Sequence, residues 1–174
     1  LGGQPRAVTS GSANFVACFS PHGRWIYFTS DRSGRAEVWR TPVAGGAAEP
    51  VTRDGGEAPL FSADGQWLYF TRTNGQAGLW RMPADGGGAT RVVEALYRYN
   101  FAPTSSGVYY MSSTVADGSG WIRYKDFKTG AVSDLFKTPA SVDLGLAVSP
   151  DGRWLIFATL DYDGADLMLA EHFR

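Results

Sequence analysis

The chain has 174 residues, enough to bury a hydrophobic core without help from disulfides or a structural metal. Its net charge of −1, with 44% hydrophobic and 19% charged residues, argues against a nucleic-acid partner and against a disordered chain. No apolar run is long enough for a membrane helix, so we predict no membrane span.

Residues 1–9 are similar in sequence to residues 43–52, and the first predicted element is a short strand at residues 5–9. Four strands follow, near 15–19, 25–30, 36–41 and 49–52. A tight turn at Gly23, where glycine accepts positive φ, reverses the chain between the first two of these strands. The apolar stretch around Cys18 predicts a buried, unreactive thiol.

The same pattern then recurs along the chain. Residues 19–30 read FSPHGRWIYFTS and residues 61–72 read FSADGQWLYFTR, which align without a gap. A third copy at 101–110 has Ser105 where the others have the turn glycine, with a longer loop at 117–120, and a fourth at 148–157 reads VSPDGRWLIF. The repeat units are predicted at about 14–53, 56–94, 98–137 and 143–173.

Each unit fits four short antiparallel strands, because aromatic and β-branched residues run almost unbroken through its second strand. Such a sheet must be covered on both faces, and stacking the copies face to face provides that cover. The prediction is an all-β chain, a β-propeller of four blades, forming one propeller domain or half of a propeller. The irregular third unit predicts an irregular edge in its blade.

The segment SPDGRWLIF at 149–157, together with SDRSG and VW at 30–39, resembles the WD-like repeat of TolB-type propellers. This resemblance implies a binding scaffold that recognises proteins or small molecules at one end of a central channel. Residues 166–174 are also similar to the end of propeller domains attached to bacterial signalling proteins. The implied source is bacterial, with the periplasm and the cytoplasm both open.

Catalytic and metal-binding patterns are scarce. The chain has no Gly-x-Ser-x-Gly motif, and its two histidines, His22 and His172, are predicted to be surface side chains. No cofactor is predicted. A calcium site at Asp161, Asp163 and Asp166 is the alternative to simple capping of a turn by these carboxylates.

The connections between units vary, and variable loops on a repeated scaffold are where binding sites are found. Tyr97, Arg98 and Tyr99 give large, rigid contact area typical of binding hot spots. Their alternative role is packing beneath a loop. The charged residues expected around the same rim are Arg53, Glu57 and Asp143. The recurring tryptophans are predicted to pack between blades rather than to form a stacking platform, with Trp121 the most exposed.

These observations favour a non-catalytic module that binds a protein or small ligand through residues 97–99. The alternative is a propeller lyase or hydrolase with an active site in the channel.

The last unit is predicted to have three strands, near 144–148, 153–159 and 166–171. The strand at 5–9 would supply its missing outer strand. Pairing between two chains would give an eight-bladed homodimer, which we place first. A fragment of a larger ring comes second, and a four-bladed ring within one chain comes last.

Overall fold

The computed structural model describes residues 4–112, 114, 116, 118–139, 141–160 and 164–171. Every regular element in these residues is a β-strand. The chain divides into two compact units, unit 1 over Leu1–Val92 and unit 2 over Val93–Arg174. The described residues contain no helix that could cross a membrane.

Unit 1 holds two four-stranded antiparallel sheets, β1 to β4 and β5 to β8, each in sequential order. Their strands are β1 Asn14–Phe19, β2 Trp25–Ser30, β3 Glu37–Pro42, β4 Glu49–Pro50, β5 Glu57–Phe61, β6 Trp67–Arg72, β7 Gly78–Pro83 and β8 Thr90–Val93. Tyr27 and Val38 of the first sheet form one buried cluster with Leu68 and Phe70 of the second. The sheets therefore stack face to face, as the two-sided apolar pattern predicts.

Unit 2 holds a four-stranded sheet, β9 to β12, and a sheet with three strands in the described residues, β13 to β15. Their strands are β9 Phe101–Pro103, β10 Gly107–Met111, β11 Trp121–Asp126, β12 Val132–Lys137, β13 Val142–Val148, β14 Trp154–Leu160 and β15 Ala165–Glu171. Tyr109 and Ile122 pack with Leu155 and Phe157 in a buried cluster between these sheets.

The predicted turns between the first two strands of a unit are present. In the first, the Gly23 amide donates to the Ser20 carbonyl at 2.8 Å with φ of 64° at the glycine. The turns at Gly65 and Gly152 repeat this geometry. In both of them a carboxylate, Asp64 or Asp151, accepts a 2.6 Å hydrogen bond from the turn serine, which lowers the pKa of that aspartate. His22 occupies the aspartate's place in the first turn.

The first strand of a unit is interrupted at one recurring place. Val16, Ala58 and Arg98 have φ of 45°, 51° and 52°, and Gly145 has φ of 130°. These residues are equivalent in the sequence repeat. In β1, β5 and β13 the strand pairing shifts register at this place, which marks a β-bulge. In the third sheet the equivalent residue, Arg98, lies in the turn before β9, so all four repeats share the positive φ and three of them share the bulge.

The all-β, four-blade prediction is confirmed, and predicted strand bounds differ from those observed by at most two residues in the first and last units. Each of the four sheets has one register shift, and in the third it lies between Ile122 and Arg123 in the pairing of β11 with β12. The irregular edge predicted for the third blade stays a prediction. Residues 4–13 contain no strand in this single chain. The outer strand predicted at 5–9 is therefore not formed here, and its pairing with a second chain stays a prediction.

Cys18 is half-buried rather than fully buried as predicted. Its partial burial still raises the pKa of the thiol to about 11, so the thiol stays protonated near neutral pH. Trp121 is 37% exposed, whereas Trp25, Trp39, Trp67, Trp80 and Trp154 are partly buried. Arginines cover several of these rings; the Arg40 guanidinium, for example, lies 4.5 Å from the Trp25 ring.

Candidate functional site

Three of the six predicted site residues meet in unit 2. Arg98 Nη1 lies 3.8 Å from Asp143 Oδ1, and the two side chains are 57% and 38% exposed. The Arg98 guanidinium also lies 5.6 Å from the Tyr97 ring, and Tyr97 packs against the core cluster of unit 2. Tyr99 is half-buried. The site therefore presents an exposed cation, Arg98, and an exposed anion, Asp143, beside the Tyr97 ring, which packs against the core.

A buried amide side chain brings these residues together. Asn100 is fully buried, and its Nδ2 donates to the carbonyls of Tyr97 at 3.2 Å and Asp143 at 3.0 Å. Its Oδ1 accepts a 2.8 Å hydrogen bond from the Gly145 amide. One side chain thus ties the turn that carries Arg98 to the strand that carries Asp143. Because the amide has both donors and an acceptor in use, it fixes this geometry more tightly than apolar packing would.

Unit 1 has a similar contact at the equivalent bulge amide, with a side chain from a different position of the repeat. The amide of Ala58, the counterpart of Gly145, donates to the buried Thr29 Oγ1 at 2.9 Å. In each case a bulge amide of one sheet bonds a buried polar side chain in the sheet before it. The bulge amide cannot join the regular strand ladder, so it needs a partner of this kind.

The other two predicted charges lie in unit 1. Glu57 is buried, and its Oε1 accepts a 2.6 Å hydrogen bond from Thr73 Oγ1 in the loop after β6. Its carboxylate therefore holds a loop. Arg53 is exposed and lines a cavity of about 300 Å³ whose wall includes Trp39 and Glu37.

Glu37 is the centre of a further polar network that the sequence did not reveal. The buried carboxylate accepts hydrogen bonds from Thr52 Oγ1 at 2.5 Å, from the Gly55 amide at 3.0 Å and from Arg35 Nε at 2.6 Å. These contacts tie β3 to the connection that leads into the second sheet. A buried carboxylate with this many donors has a structural role.

The three aspartates of the alternative calcium site lie partly outside the described residues. Asp161 and Asp163 lie outside the described residues, and Asp166 is exposed in β15 opposite Thr159. Within the described part of the chain, no group of three or more His, Cys, Asp or Glu side chains is arranged to hold a metal ion. His22 is exposed, as predicted, and His172 lies outside the described residues.

Asn100 is the site residue that sequence reasoning missed, although a signal was available. The repeat places Cys18, Leu60 and Ala147 at the equivalent position, directly before the aligned residues of the other copies. A polar amide at a position that is otherwise apolar or small indicates a buried hydrogen-bond partner.

The repeated antiparallel sheet is the blade of a β-propeller, and the chain is similar in sequence and in structure to known TolB proteins. No protein-family model matches the chain. A stretch of 50 residues, 29% of the chain, is 42% identical to 14% of an uncharacterized protein of Agrobacterium fabrum. Over 143 residues, 80% of the chain, it is 27% identical to a TolB homologue of Chlorobium chlorochromatii and covers 32% of that protein.

Several solved structures have a fold similar to that of this chain. TolB from Acinetobacter baumannii superposes with a TM-score of 0.77 at 20% identity over 97% of this chain and 43% of that one. A TolB candidate from Agrobacterium tumefaciens gives 0.70 at 22% identity, over 98% and 62%. An oligogalacturonate lyase from Vibrio parahaemolyticus gives 0.65 at 12% identity, over 90% and 52%.

The chain has the TolB-type propeller fold. It spans about a third of the Chlorobium protein and less than half of the Acinetobacter TolB.

Proposed function

We propose that this chain is a non-catalytic binding module that recognises a protein or small ligand through Tyr97, Arg98 and Tyr99 with Asp143. The observation that carries the proposal is the Arg98–Asp143 pair held by a fully buried Asn100. Exposed groups on a rigid support lose little conformational freedom when a ligand binds, which favours affinity.

The chemistry of the pair suits a polar ligand with an aromatic or apolar part. Arg98 and Asp143 are 3.8 Å apart and partly exposed, so each keeps hydrogen-bonding capacity for a ligand. Tyr97 supplies an aromatic surface beside them. Arg and Tyr are among the residues that dominate binding energy at interfaces. A binding role also agrees with the TolB-type propeller fold of the chain.

The test begins with ligands selected from a random dodecapeptide library on the wild-type chain. Affinity is then measured by calorimetry for Arg98→Ala and Tyr97→Ala. We expect losses of about tenfold or more for each, the size of a hot-spot truncation. Arg153→Ala, which removes an exposed arginine from a turn of the same unit, is the matched control and should change affinity less than about twofold. Equal affinity of wild type and Arg98→Ala would show that the site lies elsewhere.

The same selection tests one form of the enzymatic alternative, a hydrolase that cleaves peptides. Such an enzyme would cleave a bound peptide, so each selected peptide is incubated with the chain and its mass is measured. We expect no mass change. Turnover by the chain would contradict the non-catalytic part of the proposal, whatever the affinity of the variants.

We further propose that the chain assembles as the homodimer predicted from its sequence. One feature supports this assembly: among the described residues β15 pairs only with β14, so its outer edge is available to a strand of a second chain. Light scattering at several concentrations should give about twice the chain mass of 18.8 kDa. A persistent mass near one chain would contradict the homodimer.

A further inference from the structure

Unit 1 holds a cavity between its two sheets, at the end of the strands that lies opposite to the connection at residues 51–56. Its volume is about 620 Å³, which is the size of a small-molecule site. A smaller cavity of about 310 Å³ adjoins it and shares Tyr27, Arg40 and Asp85 with it. Both walls are four-stranded sheets of unit 1, so this inter-sheet groove is formed entirely within that unit.

Aromatic rings from both sheets line the inter-sheet groove. Trp25 of the first sheet and Phe61 of the second are half-buried and pack against the core cluster of unit 1. The Phe61 ring meets the buried Tyr27 ring edge to face, with the ring centroids 4.9 Å apart. An apolar ligand group placed in the groove would therefore have aromatic surface on two sides.

The walls of the groove are held in place by contacts within unit 1. Gly65 has φ of 70°, and a Cβ added there would lie 2.8 Å from Pro21 Cγ, so the glycine lets the turns of the two sheets approach. Arg40 Nε donates to Glu49 Oε1 at 2.6 Å, and its Nη1 donates to the Tyr27 hydroxyl at 3.2 Å. Walls that are fixed before a ligand arrives lower the entropic cost of binding.

The charges around the groove come in opposite pairs. Arg40 is paired with Glu49. Arg24, in the turn before β2, and Asp85, in the turn after β7, are exposed, and neither forms an ion pair within the part of the chain that the structure describes. His22 also lies in the lining and adds positive charge on the side of Arg24 when it is protonated. A ligand with one negative and one positive group is therefore complementary to the two walls.

Unit 2 shows that the repeat does not require this lining. There, Gly107 stands at the repeat position of Trp25, and Tyr124 stands at that of Arg40. A Cβ added to Gly107 would collide with the Tyr124 ring, so this ring takes up the space beside the strand. The Trp25 ring and the Arg40 charge are therefore not needed for packing one sheet of the repeat on the next.

We propose that the inter-sheet groove binds a small aromatic zwitterion of the dipeptide class. Its carboxylate lies toward Arg24, its ammonium group lies toward Asp85, and its rings lie against Trp25 and Phe61. A dipeptide fits better than a single amino acid because the volume of the groove and the rings on both walls accommodate more than one side chain. This site is separate from the one proposed around Arg98 and does not depend on it.

The first test locates the ligand. The probe is the dipeptide Phe-Tyr, added at about 5 mM to the isotope-labelled chain at pH 7, where its amino group is mostly charged. Nuclear magnetic resonance should show shifts of the Trp25 indole N–H and of the amide of Gln66, which also lines the groove. Ala-Ala at the same concentration should cause no such shifts, because it lacks the rings. The absence of shifts at both signals with Phe-Tyr would overturn the proposal.

The second test assigns the two charged groups by calorimetry. Arg24→Gln should weaken Phe-Tyr binding about threefold but leave binding of its C-terminal amide unchanged, since the amide has no carboxylate. Asp85→Asn should weaken Phe-Tyr binding by a similar factor but leave binding of its N-acetyl form unchanged. A variant that weakens the charged and the blocked forms equally would contradict the assignment of that group.

Matched controls come from the same chain. Arg153 is exposed and stands at the repeat position of Arg24, and Asp54 is an exposed aspartate at the other end of the unit 1 sheets. Arg153→Gln and Asp54→Asn should change the Phe-Tyr dissociation constant by less than about 1.5-fold. Arg98→Ala should also leave it unchanged. If Arg98→Ala abolished dipeptide binding, the groove would be overturned as the dipeptide site while the site in unit 2 would stand.

Discussion

Replacing Asn100 with alanine is the sharpest perturbation of the candidate site. The substitution removes a fully buried amide with three hydrogen bonds to main-chain groups. The Tyr97 carbonyl still accepts from the Asn100 amide at 3.2 Å, so two groups lose their partner, the Asp143 carbonyl and the Gly145 amide. Both bonds are part-buried and Gly145 is an exposed residue, so each loss should cost about 1 kcal/mol, and N100A should lower the free energy of unfolding by about 2 kcal/mol.

Asn74 provides the matched control. Its Nδ2 donates to the Asp54 carbonyl at 2.8 Å and its Oδ1 accepts from the Gln76 amide at 3.0 Å, but the side chain is exposed. Water can replace those bonds, so N74A should cost less than about 1 kcal/mol. Urea unfolding followed by near-ultraviolet circular dichroism measures both variants. Native-state hydrogen exchange reports on Gly145 directly, whose amide should lose protection only in N100A. If N100A cost no more than N74A, the anchoring role of Asn100 would be refuted.

Three further predictions concern unit 1. Glu37→Gln replaces a carboxylate oxygen by an NH2 group among hydrogen-bond donors and should cost about 3 kcal/mol in urea unfolding, whereas Glu49→Gln, at an exposed ion pair, should cost less than about 1 kcal/mol; equal costs would contradict the buried network. Because the Cys18 pKa is raised to about 11, alkylation at pH 8 should be roughly a hundredfold slower than for a thiol of pKa 9.0 and should accelerate as the pH rises toward 11; a rate equal to that of the urea-unfolded chain would contradict the burial. His22→Asp introduces the carboxylate that the second and fourth turns contain and should raise the thermal midpoint. Since the turn aspartates have lowered pKa values, this gain should be present above pH 3.8 and disappear as the pH falls below it; a gain that persists in acid would have another cause.

The architecture could be predicted from the sequence because it depends on signals repeated several times. Gly23 and its counterparts mark the turns, and Trp25 to Phe28 mark a strand covered on both sides. Because the other copies show the full pattern, the third unit is recognised even though Ser105 replaces its turn glycine. The short β4, two residues long, was placed within two residues because Gly-Gly turns precede it in the repeat.

The candidate site was predictable only in part. Hot-spot composition selected Arg98, and loop position selected Asp143. Their 3.8 Å separation depends on Asn100, two of whose partners are main-chain groups 43 and 45 residues away. Local sequence contains no information on such partners. Glu57 was selected as an exposed charge in a connection between units. It is buried instead, because β5 begins at that residue.

The positive-φ bulge has a practical consequence for engineering. The four repeats carry valine, alanine, arginine and glycine at the same backbone position, with φ between 45° and 130°. The backbone there accepts a β-branched, a small, a long charged or no side chain with the same positive φ. Ala58 is buried at this position, whereas Val16 and Arg98 are exposed, so side chains at 16 and 98 can be changed without repacking the core. A library that varies residues 16 and 98 together would therefore sample new specificities on an unchanged scaffold, provided that Asn100 is kept as the partner of the Gly145 amide.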